Sequence, residues 1–481
     1  MNEAGVEELK QAVGPDFVLT DSMDLLPYSC DAYTLAQEAP AAVVLPGNTA
    51  EVQDVVRVLR SHHVPFLARG AGTSLSGGAT PLNGTVIIHL SRMNRIIDID
   101  TENQVVVVEP GVVNADITRA LAPLGFFYAP DPSSQQACTI GGNFAENSGG
   151  PHCLKYGVTV NHIVMAETVT SEGERVVLGN LAGEPDAIDW LGLAVGSEGT
   201  LVIATKLWLR ITHKPSESQT VLALFDDVNE ASQAVSAVVA AGIIPAALEM
   251  MDRLAIYAVE KGPYRVGYPE NLAAVLLIEV DGESREVHTM AARVQAILQK
   301  HLVREVRLAA TPEEKNLWWA NRKTAFGAMG LISPQYYVQD GVIPRSRLPE
   351  ALERINEIGR RRDVRIANVF HAGDGNLHPL LLYDEHDKEM VRRVVDAGSE
   401  ILAVCVELGG SITGEHGVGI EKREDMRRQF TESELAAQRA LKHAFDPIDI
   451  LNPGKLLPTA STCHDENAVI GTYPGRESTG E

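Results

Sequence analysis

Residues Arg69 to Ala79 read RGAGTSLSGGA and follow directly on the apolar run VPFLA, so a glycine-rich loop leaves the end of a predicted strand. Two known phosphate cradles can be tested against its spacing. A dinucleotide fingerprint GxGxxG would need Gly at position 75, where Leu75 stands, and a P-loop would need Lys after its second Gly, where Gly78 stands. Both fail. What remains is a run of small residues, Gly70, Ala71, Gly72, Gly77 and Gly78, whose N–H groups can point into one concavity. Arg69 and the hydroxyls of Thr73, Ser74 and Ser76 stand beside it, which suits a pyrophosphate. A surface turn is the competing reading of this segment taken alone.

A second loop, PDPSSQQACTIGGNFAENSGG at residues 130–150, adds rigid Pro130 and the polar Asp131 and Ser133. It also carries Gly141, Gly142, Gly149 and Gly150 and the donors Asn143 and Asn147. Backbone without side chains can lie against a planar ring, and nearby amides can bond the ring's carbonyls and nitrogens. Together the two loops describe a site for a large phosphorylated ring cofactor.

Upstream, AAVVLP, NTAEVQDVVRVLRSHH and VPFLARG read as strand, helix and strand, with Val52, Val55, Val56 and Leu59 on one helical face and Asn48 with Glu51 as a capping box. Downstream, GTVIIHL, IIDID and QVVVVEPG are short β-rich runs, and LVIATKLWLRI reads as another edge of the same sheet. After Pro215 strands and helices alternate: SQTVLALFD, a helix at 229–241, a strand near 243–250, a helix at 252–261, AAVLLIEVDG and a helix at 283–300. That order indicates an α+β unit with helices over one face of a sheet. Helical stretches at 385–409 and 432–445 and a Pro-rich close complete the chain before a polar tail.

The 481 residues suffice for two or three domains. With 41 basic against 64 acidic residues the net charge is −23, a surface that repels phosphate backbones and anionic lipid, so nucleic acid is excluded as an expected partner. The five cysteines, Cys30, Cys138, Cys153, Cys405 and Cys463, form no CxxC pair and read as reduced cytosolic thiols. Met1 to Lys10 does not read as a secretory signal. The weakly polar run Val235 to Met250 is broken by Gly242 and Pro245, so no membrane span is expected.

The segment VRIANVFHAGDGNLHPLLLYD places two apolar runs around Asp374-Gly375, a pair that favours a two-residue hairpin with His371 directly opposite His378. Cross-strand Cβ atoms lie ~4.5–5.5 Å apart, close enough for two imidazoles to share one metal. Two histidines on a polar face are the competing reading. In GGSITGEHGVG, Glu415 could complete a His2Glu set with an open position, and His416 could act as a base near its ordinary pKa of ~6.5. There is no HExxH, and the donor set allows Fe or Mn as well as Zn. Arg322, in LWWANRKTAF, can clamp a carboxylate with its guanidinium fork or be a solvated helix residue.

The strand followed by RGAGTSLSGG, then VVEPGV, PDPSSQQACTIGG, AENSGG, LKYG (with Tyr156 and Gly157) and NPGK (with Asn452) resembles the vanillyl-alcohol oxidase/PCMH flavoprotein family. HAGDGNLHP and GEHG are similar to its D-2-hydroxy-acid dehydrogenase branch, and most to the flavin subunits of bacterial glycolate oxidases. The resemblance implies an α+β fold: a PCMH-type FAD-binding domain of two α+β subdomains and an α+β substrate domain with an antiparallel sheet. It divides the chain into 1–37, 38–216, 217–440, a return to the flavin at 441–458 and a tail at 459–481. It implies FAD, noncovalent because Thr73 stands where some members tether it through His, and it implies Zn2+ on His371, His378 and Glu415 with His416 as base and Arg322 as clamp.

A small 2-hydroxy acid is then oxidised, glycolate or D-lactate, the short substrate being read from Tyr336, Tyr337 and Val338. Local positive charge would come from the metal, Arg322 and Arg69. With no cluster cysteines here, electrons would pass to an iron–sulfur subunit and a second flavin-domain subunit, or to quinone, in the cytoplasm or at the inner face of the membrane. A lone D-lactate dehydrogenase and a noncatalytic flavin-bound scaffold are the other functions carried forward.

Overall fold

A computed structural model describes residues 1–183 and 187–459, so the tail beyond Thr459, with Cys463, lies outside the described residues. The strand ahead of the first glycine loop is Phe66–Arg69. It pairs in parallel with Val86–His89, which pairs on its other side with Ala42–Val44, and Val18–Leu19 joins antiparallel at the far edge. Helix Thr49–Ser61 follows Ala42–Val44. The Asn48 side chain accepts the Glu51 N–H, while the Glu51 carboxylate accepts the Gly47 N–H, so the capping box is displaced by one residue. Val52, Val55, Val56 and Leu59 are fully buried in one cluster with Leu9 and Val13 of helix Glu3–Val13. At roughly 1.5–3 kcal/mol per buried side chain of this size, that stripe is what docks the N-terminal helix.

A second sheet is antiparallel throughout, in the order Ile96–Asp100, Val105–Val108, Val202–Arg210, Ile163–Thr170, Arg175–Gly179. This corrects the sequence reading, which made one sheet of two and put LVIATKLWLRI at an edge. The strand Val202–Arg210 is buried almost along its length, and a strand apolar on both faces belongs at the centre.

The third sheet, also antiparallel, runs Val303–Leu308, Glu217–Phe225, Ala274–Gly282, Ala247–Asp252, Arg365–His371 and on to Asn376–Leu377 and Gly341–Val342. Four long helices, Val228–Ala240, Ser284–Leu298, Leu348–Arg362 and Lys388–Glu407, cover the face that bears Val221, Ala223 and Phe225. The opposite face, with Leu222 and Leu224, is covered too, by Arg253–Val259, Pro312–Lys323 and Ala325–Ala328. The continuous apolar run VLALF required both covers, where the sequence reading expected one.

After helix Glu432–Phe445 the chain returns to the first sheet. The Phe66 N–H donates to the Ile450 carbonyl and the Asn452 N–H to the Phe66 carbonyl, which brings NPGK beneath the first glycine loop. Among the described residues no helix is long and apolar enough to cross a membrane.

Candidate active site

A cavity of about 400 Å³ lies where the first two sheets meet the third. The first loop lines it with Arg69, Gly70, Ala71, Gly72, Thr73, Ser74 and Gly78, and the second with Ser133, Gly141, Gly142, Asn143 and Gly149. Gly72 has φ +69°, a left-handed conformation that a side chain would strain. Gly141 lies so close to Pro110 that an added Cβ would sit 2.7 Å from the proline Cβ. These are the places where backbone must approach closely.

Nine of the residues expected at a cofactor lie behind this wall instead. Asn452 donates to the carbonyls of Gly78 and Glu198, so it holds the loop from beneath. The Ser76 hydroxyl donates to the His416 carbonyl, and Gly77 and Gly150 supply left-handed turns. Asn147 caps its helix and accepts the Val160 N–H, and the Pro130 carbonyl accepts from Asn114. Asp131 pairs with His152, the Tyr156 hydroxyl donates to Asp281, and Gly157 ends the short helix before it. Arg69 lines the cavity, but its guanidinium donates to the carbonyls of Tyr28, Cys30 and Ala79, so it ties the N-terminal segment to the loop rather than offering free charge. A third segment went unread: Glu198, Gly199 and Val202 to Ala204 also line the cavity, and GSEGT at 196–200, with positive φ at Gly196, Glu198 and Gly199, was its signal.

The far wall holds Arg322, Phe326, His371, His378, Glu415 and His416. The hairpin does not have the expected register. His371 pairs with Asn376 across a four-residue turn, and only Gly375 has positive φ, which excludes the two-residue turn. The register is displaced by two residues, which preserves the face, so the two imidazoles still meet diagonally with ring centroids 5.1 Å apart. Both Nε2 atoms reach the same Glu415 oxygen, at 3.1 and 3.0 Å. The ligand-type atoms of His371, His378 and Glu415 all lie within 4.8 Å of one another.

Glu249, unread in the sequence, sits opposite His371 on the neighbouring strand and places its carboxylate 2.8 Å from Nδ1. Burial would lower the His371 pKa, but Glu249 and Glu415 on its two sides raise it well above its ordinary value. Burial would raise the Glu415 carboxyl, and the charge and hydrogen bonds of the two histidines hold it well below. Two imidazoles and a carboxylate, the first imidazole backed by a second carboxylate, could serve as the donor set of an open metal site.

Arg322 is only 4% exposed, so it is no solvated helix residue. Its Nη2 forms an ion pair with Glu249 at 2.5 Å, and its Nε has no hydrogen-bond partner. The His416 ring stacks on His378 with centroids 4.8 Å apart. Burial pushes its pKa down to about 4 against the attraction of Asp340, so the ring is neutral at pH 7, not poised near 6.5 as expected. Tyr336, Tyr337 and Val338 do not reach the cavity; their strand pairs with Pro379–Tyr383 and their side chains pack into the two cores.

The family model for the FAD binding domain matches residues 40–179, and that for the C-terminal domain of FAD linked oxidases matches residues 214–456. The chain is 45% identical over 456 residues to glycolate oxidase subunit GlcD of Escherichia coli strain K12, covering 95% of this chain and 91% of that one. It is 40% identical to GlcD of Bacillus subtilis, over 94% and 96% of the two chains, and 31% identical to D-lactate dehydrogenase of Anaerostipes hadrus, over 87% and 89%. Among solved structures it superposes on p-cresol methylhydroxylase with a TM-score of 0.78 at 18% identity, over 95% of this chain and 96% of that one. With 4-ethylphenol oxidase from Gulosibacter chungangensis the TM-score is 0.77, again at 18% identity, over 95% and 97%. These two share the fold.

Proposed function

The chain belongs to the FAD-linked oxidases, and from that premise we propose that it oxidises a short 2-hydroxy acid, glycolate to glyoxylate and D-lactate to pyruvate. The observation that carries the proposal is the convergence of Arg322, His371, His378, Glu415 and His416 on the wall facing the two glycine loops. Those loops would hold FAD noncovalently, and it would supply the acceptor for the Cα hydride. A divalent metal, Zn2+, would be held by His371, His378 and Glu415 and would supply Lewis acidity toward the substrate hydroxyl.

The remaining work falls to this chain's own groups. His416, neutral, accepts the hydroxyl proton on a ring nitrogen. Arg322, its Nη2 paired with Glu249 and its Nε donor unspent, binds the substrate carboxylate, and Glu249 holds both Arg322 and His371 in orientation. Among the described residues lining the cavity the only Arg or Lys side chains are Arg69 and Arg322, and Arg69 is engaged by carbonyls. Arg322 is then the one guanidinium with a donor, Nε, left for a substrate carboxylate.

Steady-state rates with an artificial acceptor test this reading. Glycolate and D-lactate should turn over, while D-2-hydroxyglutarate, whose second carboxylate meets no partner, should have kcat/KM lower by at least about tenfold. Equal rates with both lactate enantiomers would remove the chiral pocket. Glu249→Gln should weaken Zn2+ binding by about 10–100-fold, measured by competition with a chelator, because His371 loses the carboxylate on Nδ1. Relatives bearing the name subunit support a complex, in which an iron–sulfur subunit and a second flavin-domain subunit would take the electrons at the cytoplasmic side of the membrane. The lactate-oxidising relative supports a second reading, a lone D-lactate dehydrogenase, which a kcat/KM for D-lactate far above that for glycolate would favour. The division at residues 37, 216, 440 and 458 belongs to the same proposal.

A further inference from the structure

Glu415 and His416 are sequence neighbours, and neighbours in extended chain point to opposite sides. Both nevertheless line one cavity. The turn that achieves this is framed by Gly414, Gly417 and Gly419, the last two with φ +82° and +54°, and a segment so rich in glycine does not hold one shape unaided. Glu198 accepts the Val418 and Gly419 N–H groups at its far end, and one buried side chain, Asp340, holds the part that carries Glu415 and His416. Asp340 Oδ2 accepts the Thr413 hydroxyl at 2.6 Å and the N–H groups of Gly414 and His416 at 2.9 and 3.0 Å, while Oδ1 accepts the Glu415 N–H at 3.1 Å.

Lys422 supplies the counter-charge at 3.1 Å from Oδ2, and its ammonium also donates to the Gly417 carbonyl at the end of the turn. Asp340 and Lys422 are both fully buried, so each requires the other. Asp340 is itself fixed, because the next two residues pair with Asn376–Leu377 of the histidine hairpin and Val342 exchanges two hydrogen bonds with Ser411.

We infer that Asp340 is a positioning residue: its carboxylate gathers three successive N–H groups so that Glu415 and His416 are presented together, in register with the hairpin that carries His371 and His378. The inference rests on the metal-and-base reading of those four residues. A carboxylate that served stability alone would leave the geometry of the donor set unchanged when weakened, and this distinction is measurable.

The test uses the full-length, FAD-loaded protein and two variants. Asp340→Asn turns an amide N–H2 toward N–H donors, and Thr413→Val removes one donor while leaving the buried ion pair. For D340N, Zn2+ affinity should fall by about 10–100-fold and kcat for glycolate by about 10²-fold with little change in KM, with FAD content retained. T413V should move the same readouts in the same direction by a smaller factor, and it decides alone if D340N yields no folded protein. Lower melting temperatures with native Zn2+ affinity and native kcat would overturn the inference. A wild-type chain that takes up no Zn2+ would overturn the metal reading and this inference with it, whereas native uptake unaffected in the variants overturns the inference alone.

Discussion

His371→Ala should leave the protein loaded with FAD but depleted of metal, and should slow flavin reduction by glycolate by about 10³-fold or more. The magnitude follows from the site. Lewis-acid stabilisation of a developing alkoxide is worth several kcal/mol, and each 1.36 kcal/mol is a factor of ten in rate. Removing the imidazole also takes away the one group that bridges Glu249 and Glu415, leaving Glu249 on Arg322 and Glu415 on His378. The glycine loops contribute none of these contacts, which is why flavin absorbance should survive. Metal analysis together with stopped-flow bleaching of the flavin checks both halves. A metal-free variant that bleaches at the native rate would end the metal reading outright.

What the sequence revealed of this site, and what it hid, follows from the range over which each residue acts. The loop at 69–79 was legible because its requirement is local: small residues, positive φ, a strand before it. The helix Thr49–Ser61 was legible because its buried stripe repeats every turn. His371 and His378 were brought together correctly by a hairpin whose register was wrong, because a displacement of two residues keeps side chains on the same face where a displacement of one would have separated them.

Glu249 left no such trace, since it meets His371 only through a strand pairing across 122 residues of chain. Asp340 meets the Glu-His turn across 73 to 76 residues, and Glu198 holds the N–H groups of Val418 and Gly419 across 220 and 221. Long-range carboxylates that organise a loop have no spacing rule to betray them. The same reasoning explains Arg69, Asn147, Tyr156 and Asn452. Their residue types suit a phosphate or a ring, but the fold spends their donors and acceptors on its own backbone and on Asp281.

His416→Ala should lower kcat for glycolate by about 10²–10⁴-fold, the range a positioned general base contributes, while metal and FAD contents stay native. The pH profile separates this reading from a merely structural one. Because burial disfavours the imidazolium, the ring titrates near about 4 rather than at 6.5, so it remains a free acceptor through the acid range. The native enzyme should therefore keep its plateau kcat/KM at pH 5.5 and lose activity only as pH falls toward 4. A base at 6.5 would already have lost about tenfold at pH 5.5.

The same shift has a stability consequence of fixed sign. The folded pKa lies below the unfolded one, so between them the unfolded chain binds the extra proton. The contribution is present in full above about 6.5 and is lost as pH falls through about 4. His416→Ala should flatten the pH dependence of unfolding in that window, read by denaturant titration at pH 4.5 and 7. A buried ring with no part in proton transfer would show the stability effect without the loss of turnover. A weak base suffices here only if the substrate hydroxyl is itself acidified, and so native kcat in His416→Ala combined with loss in His371→Ala would place the proton on a different acceptor.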